Sequence, residues 1–412
     1  MAPAIRSAET TYRVRDFRLF LAARFLATIA MQVQSVAVGW EIYDLTRTPL
    51  ALGLVGLCQF VPMFLLTLPA GDVADRFDQR RVFFASAMVQ AAASALFLAL
   101  TFLHAHLIWP FYAVLVLFGA ARGFAGPSSQ SLLPFLVPRE QLQSALAWGS
   151  SSFQVAVLVG PALGGFLYAL GVSVAFSVCC ASFLGAGIAA LFLGGRRREP
   201  GAATLNTAVE RVAEGVKFVR ARSVILGAIS LDLFAVLLGG ATALLPIYAR
   251  DILFVGPVGL GFLRSAPALG ATIVGALLGR KPLARHAGQV MFAAVAVFGL
   301  ATIVFGLSRN FYLSLAALAV LGASDMLSVY IRHSLIQFAT PDAMRGRVSA
   351  VNVLFIGASN ELGEFESGIT AAWFGTVPAV VIGGIGTLFV VGAWMGLFPP
   401  LRRVDRLAEI SA

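Results

Sequence analysis

An all-α membrane protein, with twelve transmembrane helices in two pseudo-symmetric six-helix bundles, is the fold class this sequence predicts. Three observations lead there. Of 412 residues, 59% are apolar and only 12% are charged, against about 45–50% and about 25% in soluble domains. The apolar residues gather into stretches of about 20, the length at which a helix crosses a bilayer with its backbone satisfied internally. Corresponding pieces of the two halves also match.

Composition excludes several classes at once. A soluble globular protein needs a charged surface this chain cannot supply. The 33 Phe argue against a disordered chain, and only three cysteines (Cys58, Cys179 and Cys180) argue against a disulfide scaffold. The formal charge of +10 does not mark a nucleic-acid binder, because the 30 basic residues gather mostly between apolar stretches.

The spans follow in order. Residues 17–41 form a first span, too long and without the small-residue site of a cleaved signal peptide. The next, 48–70, runs into Gly71, and 80–103 follows a basic loop. Stretch 109–136 carries Arg122, 142–169 carries GPALGG, and 172–194 closes the first half. Then 223–247 carries Asp232, 257–279 carries Arg264, and 288–307 is uncharged. Finally 310–334 carries Asp325, 347–372 carries Glu361 and Glu364, and 378–398 ends the set. The division is 1–194, a linker at 195–222, and 223–412. Within the linker, Val209, Val212, Val216 and Val219 fall at helical spacing beside basic residues, so an amphipathic helix lying on the lipid surface is expected.

Orientation follows from the basic residues. With an inward N-terminus, 23 of the 30 face the cytoplasm, three lie outside and four (Arg24, Arg122, Arg264, Arg332) fall within spans. Both ends are therefore expected in the cytoplasm.

LGLVGL at 52–57 and LGFLRS at 260–265 stand at an offset of 208, and each leads into a span ending in glycine (Gly71, Gly279) before a basic loop. VPREQLQSALA at 137–147 resembles TPDAMRGRVSAV at 340–351; each opens a span carrying GPALGG (160–165) or GEFESG (363–368). Duplicated six-helix halves are the build of many secondary transporters.

GDVADRFDQRR at 71–81 resembles the loop signature of the major facilitator superfamily, with Gly71, Ala74, Asp75, Arg76 and Arg80 in place and Asp78 and Gln79 departing from it. Arg122 with Gly126 resembles the fourth-span signature, and GPALGG the exporter signature of the fifth. The likeness covers the whole chain and, within the superfamily, points to the bacterial branch that includes catecholate siderophore exporters. It implies a multi-pass transporter of the bacterial inner membrane, without enzymatic activity or cofactor. Its partners would be lipid, a small amphipathic substrate and protons, and it would act as a monomer.

The resemblance assigns a gating loop to Gly71, Asp75, Arg76, Arg80, Arg345 and Arg347. Gly71 would let helix ends approach, and Asp75 would meet the start of span eleven; a solvated turn is the plainer alternative. Gly160, Pro161, Gly164 and Gly165 form a small-residue face, either a moving interface between the halves or static packing. Ionisable residues inside the membrane are costly and mark function by default. Arg122, Asp232, Arg264, Asp325, Glu361 and Glu364 are therefore candidates for proton coupling or the substrate path, structural pairing being the alternative. Arg264 is a counter-charge for an anionic substrate or a partner of Glu361 or Glu364. Gln32, Gln34, Gln59, Gln154, Asn352 and Asn360, with Trp40, Phe60, Trp148 and Phe234, stand at cavity depth.

No GxxxxGK[ST] occurs, so no nucleotide-driven pump is indicated. His104 and His106 lack a third metal ligand, and no nucleophile–base constellation suggests an enzyme. A lysophospholipid or other solute carrier is the alternative reading, with a channel behind it.

Overall fold

The computed structural model describes residues 14–104, 107–194, 205–283 and 285–406. Within them every regular element is helical, and the long helices are numbered α1 to α12 in chain order. The first six are α1 (Arg15–Thr46), α2 (Pro49–Arg76), α3 (Gln79–Phe102), α4 (Trp109–Leu136), α5 (Leu142–Leu170) and α6 (Val172–Leu191). A linker helix (Leu205–Ala221) separates them from α7 (Ser223–Gly239), α8 (Gly256–Arg280), α9 (Ala287–Leu307), α10 (Phe311–Ala339), α11 (Asp342–Phe374) and α12 (Thr376–Leu397).

Eleven of these segments are long and apolar enough to cross a membrane. The other is α11, whose 33 residues reach about 50 Å but include Arg345, Arg347, Glu361, Glu364 and Glu366. Prolines lie inside α2, α4, α5 and α8, tolerated where neighbouring helices re-satisfy the freed backbone groups. Helix ends follow local chemistry. Asp78 caps α3 by accepting from the Arg80 N–H, and Asn310 caps α10 by accepting from Tyr312 and Leu313. Gly375 takes a φ of 90° between α11 and α12, a backbone that disfavours any side chain.

Expected at 223–247, the seventh span runs further and is broken. After Gly239 the chain passes through a tight 3₁₀ turn at Ala241–Leu244, then a wide π turn at Tyr248–Ile252. The break is satisfied from outside the segment. Ser367 Oγ donates to the Gly240 carbonyl at 2.9 Å, while Tyr248 Oη anchors the segment by donating outward to the Gly306 carbonyl of α9 at 2.9 Å.

Packing divides the chain into two compact units. One holds Met1–Leu45 and Val61–Ala208; the other holds Thr46–Phe60 and Val209–Ala412. In the first, Phe17, Phe20 and Ala23 of α1 pack with Phe83 of α3, Leu132 and Leu136 of α4, and Ala186 and Ala190 of α6. In the second, Leu231 and Ala235 of α7 pack with Met291 and Val295 of α9, Ile331 and Leu335 of α10, and Val390 of α12. Large apolar side chains such as Leu65, Phe166, Ile273 and Phe389 point outward, as a lipid-facing surface requires.

The linker helix turns its apolar face onto the second unit. Val212, Val216 and Val219 pack on Ile225, Ile336, Ala339, Val348 and Val351, so its apolar face is covered by the starts of α7 and α11 and the end of α10. The valine spacing marked an apolar face correctly but did not say what would cover it.

Candidate functional site

The second unit contains a fully desolvated ion pair. Asp232, nine residues into α7, meets Arg332 of α10 through Oδ2 and Nη1. The residues are 6% and 1% exposed, so neither charge is shared with solvent. Arg332 lies on one stripe of α10 with Ser328 and Asp325, four and seven residues back. Ser328 Oγ and Arg332 Nε are buried without a hydrogen-bond partner among the described residues. Asp232 and Asp325 were expected from the sequence. Arg332 is not among the sequence candidates, because it falls near the end of the expected span 310–334; the intramembrane cost that singles out Arg122 and Arg264 applies to it as well.

A second group of charges comes from α8 and α11. Glu364, and more weakly Glu361, act on the charge of Arg264. Glu364 is seated against Gly56, where a Cβ would stand 3.0 Å from its Oε2. The segment of α2 that carries Gly56 belongs to this same unit. Arg122, the remaining expected charge, is partly buried on α4 in the first unit.

The small-residue motif packs within the first unit. A Cβ on Gly160 would fall 2.5 Å from Cβ of Gln32, and one on Gly164 would fall 2.9 Å from Cα of Val33. Pro161 and Gly165 are buried with them. The face described here is thus an α1–α5 contact inside one unit, with room for nothing larger than glycine. The second unit repeats it: Gly363 of α11 lies against the carbonyls of Val236 and Leu237 of α7, and Ser367 holds Gly240. Spans one and five, and seven and eleven, are therefore equivalent pairs.

Residues expected in the gating loop have separate local roles. Arg80 Nη1 donates to the Leu193 carbonyl at the end of α6. Arg345 Nε donates to the Gln337 carbonyl at 3.2 Å, and Arg347 Nη1 pairs with Glu214 of the linker helix at 2.6 Å. Among the described residues, a Cβ on Gly71 would meet nothing within 4 Å. Asp75 and Arg76 lie on α2, and their side chains are outside the described set, as is His106.

Several polar residues expected at cavity depth are internal struts. Gln34 accepts from Ser94 of α3 at 2.5 Å and is 2% exposed. Asn352 is likewise buried. Phe234 packs on Trp394 of α12, with ring centres 5.3 Å apart.

Comparison with known proteins agrees with this architecture. Residues 7–412 match the family described as transmembrane secretion effector. The enterobactin exporter EntS of Shigella boydii serotype 18 is 25% identical over 392 residues, covering 94% of this chain and 92% of its own. The EntS of Escherichia coli O157:H7 matches to the same extent. Among solved structures, the D323A variant of the nucleoside transporter NupG superposes with a TM-score of 0.73 at 14% identity, covering 93% of this chain and all of that one. A bacterial homologue of the human lysosomal transporter Spinster, inward-facing and unoccupied, gives 0.69 at 14% identity, with 95% and 96% covered. These structural likenesses speak for the fold. With a family match over nearly its full length, the chain belongs to the transmembrane secretion effector family of major facilitator transporters.

Proposed function

We propose that this transporter is a proton-coupled exporter of a small amphipathic molecule. It would sit in the bacterial inner membrane as a monomer with both ends cytoplasmic. Bundles 1–194 and 223–412 would alternate access about the 195–222 linker. The supporting observation is the Asp232–Arg332 pair. It is complete only while Asp232 is ionised. A proton on Asp232 leaves the arginine charge uncompensated in a dry environment, and breaking such a pair costs about 3–5 kcal/mol. Protonation therefore changes which packing of α7 on α10 is favoured, and that is the element a proton gradient needs to act on. Arg264 with Glu361 and Glu364 supplies a second set of charges that a substrate could rearrange. The kinship to enterobactin exporters supports export and an amphipathic cargo of siderophore type.

The test uses proteoliposomes with a trapped pH dye, challenged with enterobactin, cationic drugs and lysolipids. Substrate-triggered proton flux, lost in Asp232→Asn and kept in a surface control, is the expected result. Tracer movement of substrate without proton flux would make the protein a facilitator and end the coupling claim. Proton flux that survives Asp232→Asn would leave the pair a structural brace.

A further inference from the structure

Arg24 stands apart from the other charges buried in the helices. It lies on α1, nine residues or about 13 Å beyond the helix start, and it is partly buried. Among the described residues no carboxylate acts on it, and its guanidinium makes no hydrogen bond or ion pair. Its neighbours are a glycine and an aromatic ring. Nη1 lies 3.4 Å from where a Cβ of Gly149 would stand, and Cζ sits 6.0 Å from the centre of the Phe153 ring.

An arginine near a helix end normally turns its head group toward the interface. Here the guanidinium instead reaches sideways, level with residues seven and eleven positions inside α5. Gly149 leaves the notch that admits it, and Phe153, itself 41% exposed, flanks the open side. Among the described residues, this cation set well into the helices faces no carboxylate. The adjoining ring adds a flat apolar surface, which suits an anion borne on an aromatic group.

We propose that Arg24, Gly149 and Phe153 form an anion-binding subsite that takes the carboxylate or phenolate of an aromatic substrate. This rests on the transporter reading above and adds the charge of the cargo to it. The same chemistry could be supplied by a phospholipid phosphate, so the experiment separates the two.

Binding of radiolabelled salicylate and of its neutral counterpart salicylamide would be measured on the purified chain in phosphatidylcholine nanodiscs. The wild type should prefer the anion by about tenfold or more, the worth of one charge-assisted hydrogen bond. Arg24→Gln should abolish that preference while leaving salicylamide binding unchanged, and Arg24→Lys should restore part of it. Gly149→Val, which fills the notch but keeps the charge, provides an independent variant should Arg24→Gln fail to fold. Absence of anion preference in the wild type, or its survival in both Arg24→Gln and Gly149→Val, overturns the subsite. Loss of salicylate binding in phosphatidylglycerol nanodiscs would assign it to lipid and also overturn it. Because the readout is equilibrium binding, a failure of proton coupling leaves this result standing, and failure here leaves proton coupling standing.

Discussion

Glu214 of the linker helix and Arg347, in the second turn of α11, form an ion pair with 2.6 Å between Oε2 and Nη1. Immediately beside it the two helices all but touch: a Cβ on Gly215 would fall 2.7 Å from the Arg347 carbonyl oxygen and 2.9 Å from Val351 Cγ2. The pair is half exposed, and such pairs contribute about 0–1 kcal/mol. Close packing of the valine face under Gly215 therefore carries more of the docking than the charges do.

That ranking is measurable. Glu214→Ala should leave hydrogen exchange in 205–221 nearly unchanged, whereas Gly215→Leu should speed it markedly by forcing the helix away from a backbone oxygen that cannot yield. Equal effects of the two substitutions would reverse the assignment and make the ion pair the main tether.

The Asp232–Arg332 pair gives a prediction in which a second substitution offsets the first. Arg332→Met leaves Asp232 buried and unpaired, at a cost of about 3–5 kcal/mol, while Asp232→Leu with Arg332→Met removes both charges and should recover most of it. Unfolding in mild detergent, arranged as a double-mutant cycle, reads the coupling. Additive effects would mean that the two side chains do not depend on each other.

Much of this architecture was legible beforehand because lipid imposes one rule on every span. The apolar stretches, the basic loops and the duplicated motifs each report it, and the twelve helices stand near their expected places except α7, which breaks off at Gly239, eight residues short of the expected end. What could not be read were contacts between helices distant in sequence. Arg332 looks like a residue near a span end until Asp232, a hundred positions earlier, is placed against it. Gln34 has the polarity of a cavity residue, yet Ser94 turns it into an internal strut. The break at Gly240 hides in an unbroken apolar run, because Ser367, which satisfies its carbonyl, lies 127 residues on.

The chain after α12 supplies a pH dependence outside the membrane helices. Asp405 accepts from the His286 N–H at 2.8 Å and faces the Arg285 and His286 side chains, while the Gly288 N–H donates to the Val404 carbonyl at 3.0 Å. The His286 backbone N–H first, and Arg285 after it, hold this carboxyl below the usual aspartate range. A depressed carboxylate stabilises the docked tail above its free value and loses that effect as pH falls through its bound value. Docking of 399–406 should thus persist at neutral pH and weaken only below about pH 4. Exchange protection of this segment, corrected for the intrinsic pH effect, reads it. Asp405→Asn should flatten the acid limb, and an unchanged limb would place the titration elsewhere.

Gly164 and Gly71 separate packing from function among the glycines. Gly164→Val would drive a branched side chain into the α1 backbone at Val33 and should destabilise the first unit by about 1–3 kcal/mol or prevent its folding. Gly363→Val should do the same to α7 and α11, since its would-be Cβ stands 3.0 Å from two backbone carbonyls. At Gly71 a Cβ would meet nothing within 4 Å among the described residues and the backbone is helical, so Gly71→Ala should be neutral or stabilise by up to about 1 kcal/mol. If the 71–81 loop gates the cytoplasmic side as a latch, Gly71 must be closely approached at another stage of the cycle. Gly71→Ala should then slow substrate export in proteoliposomes while leaving thermal stability intact. Export at the wild-type rate would remove Gly71 from the latch and leave the loop as the helix connection that Asp78 caps.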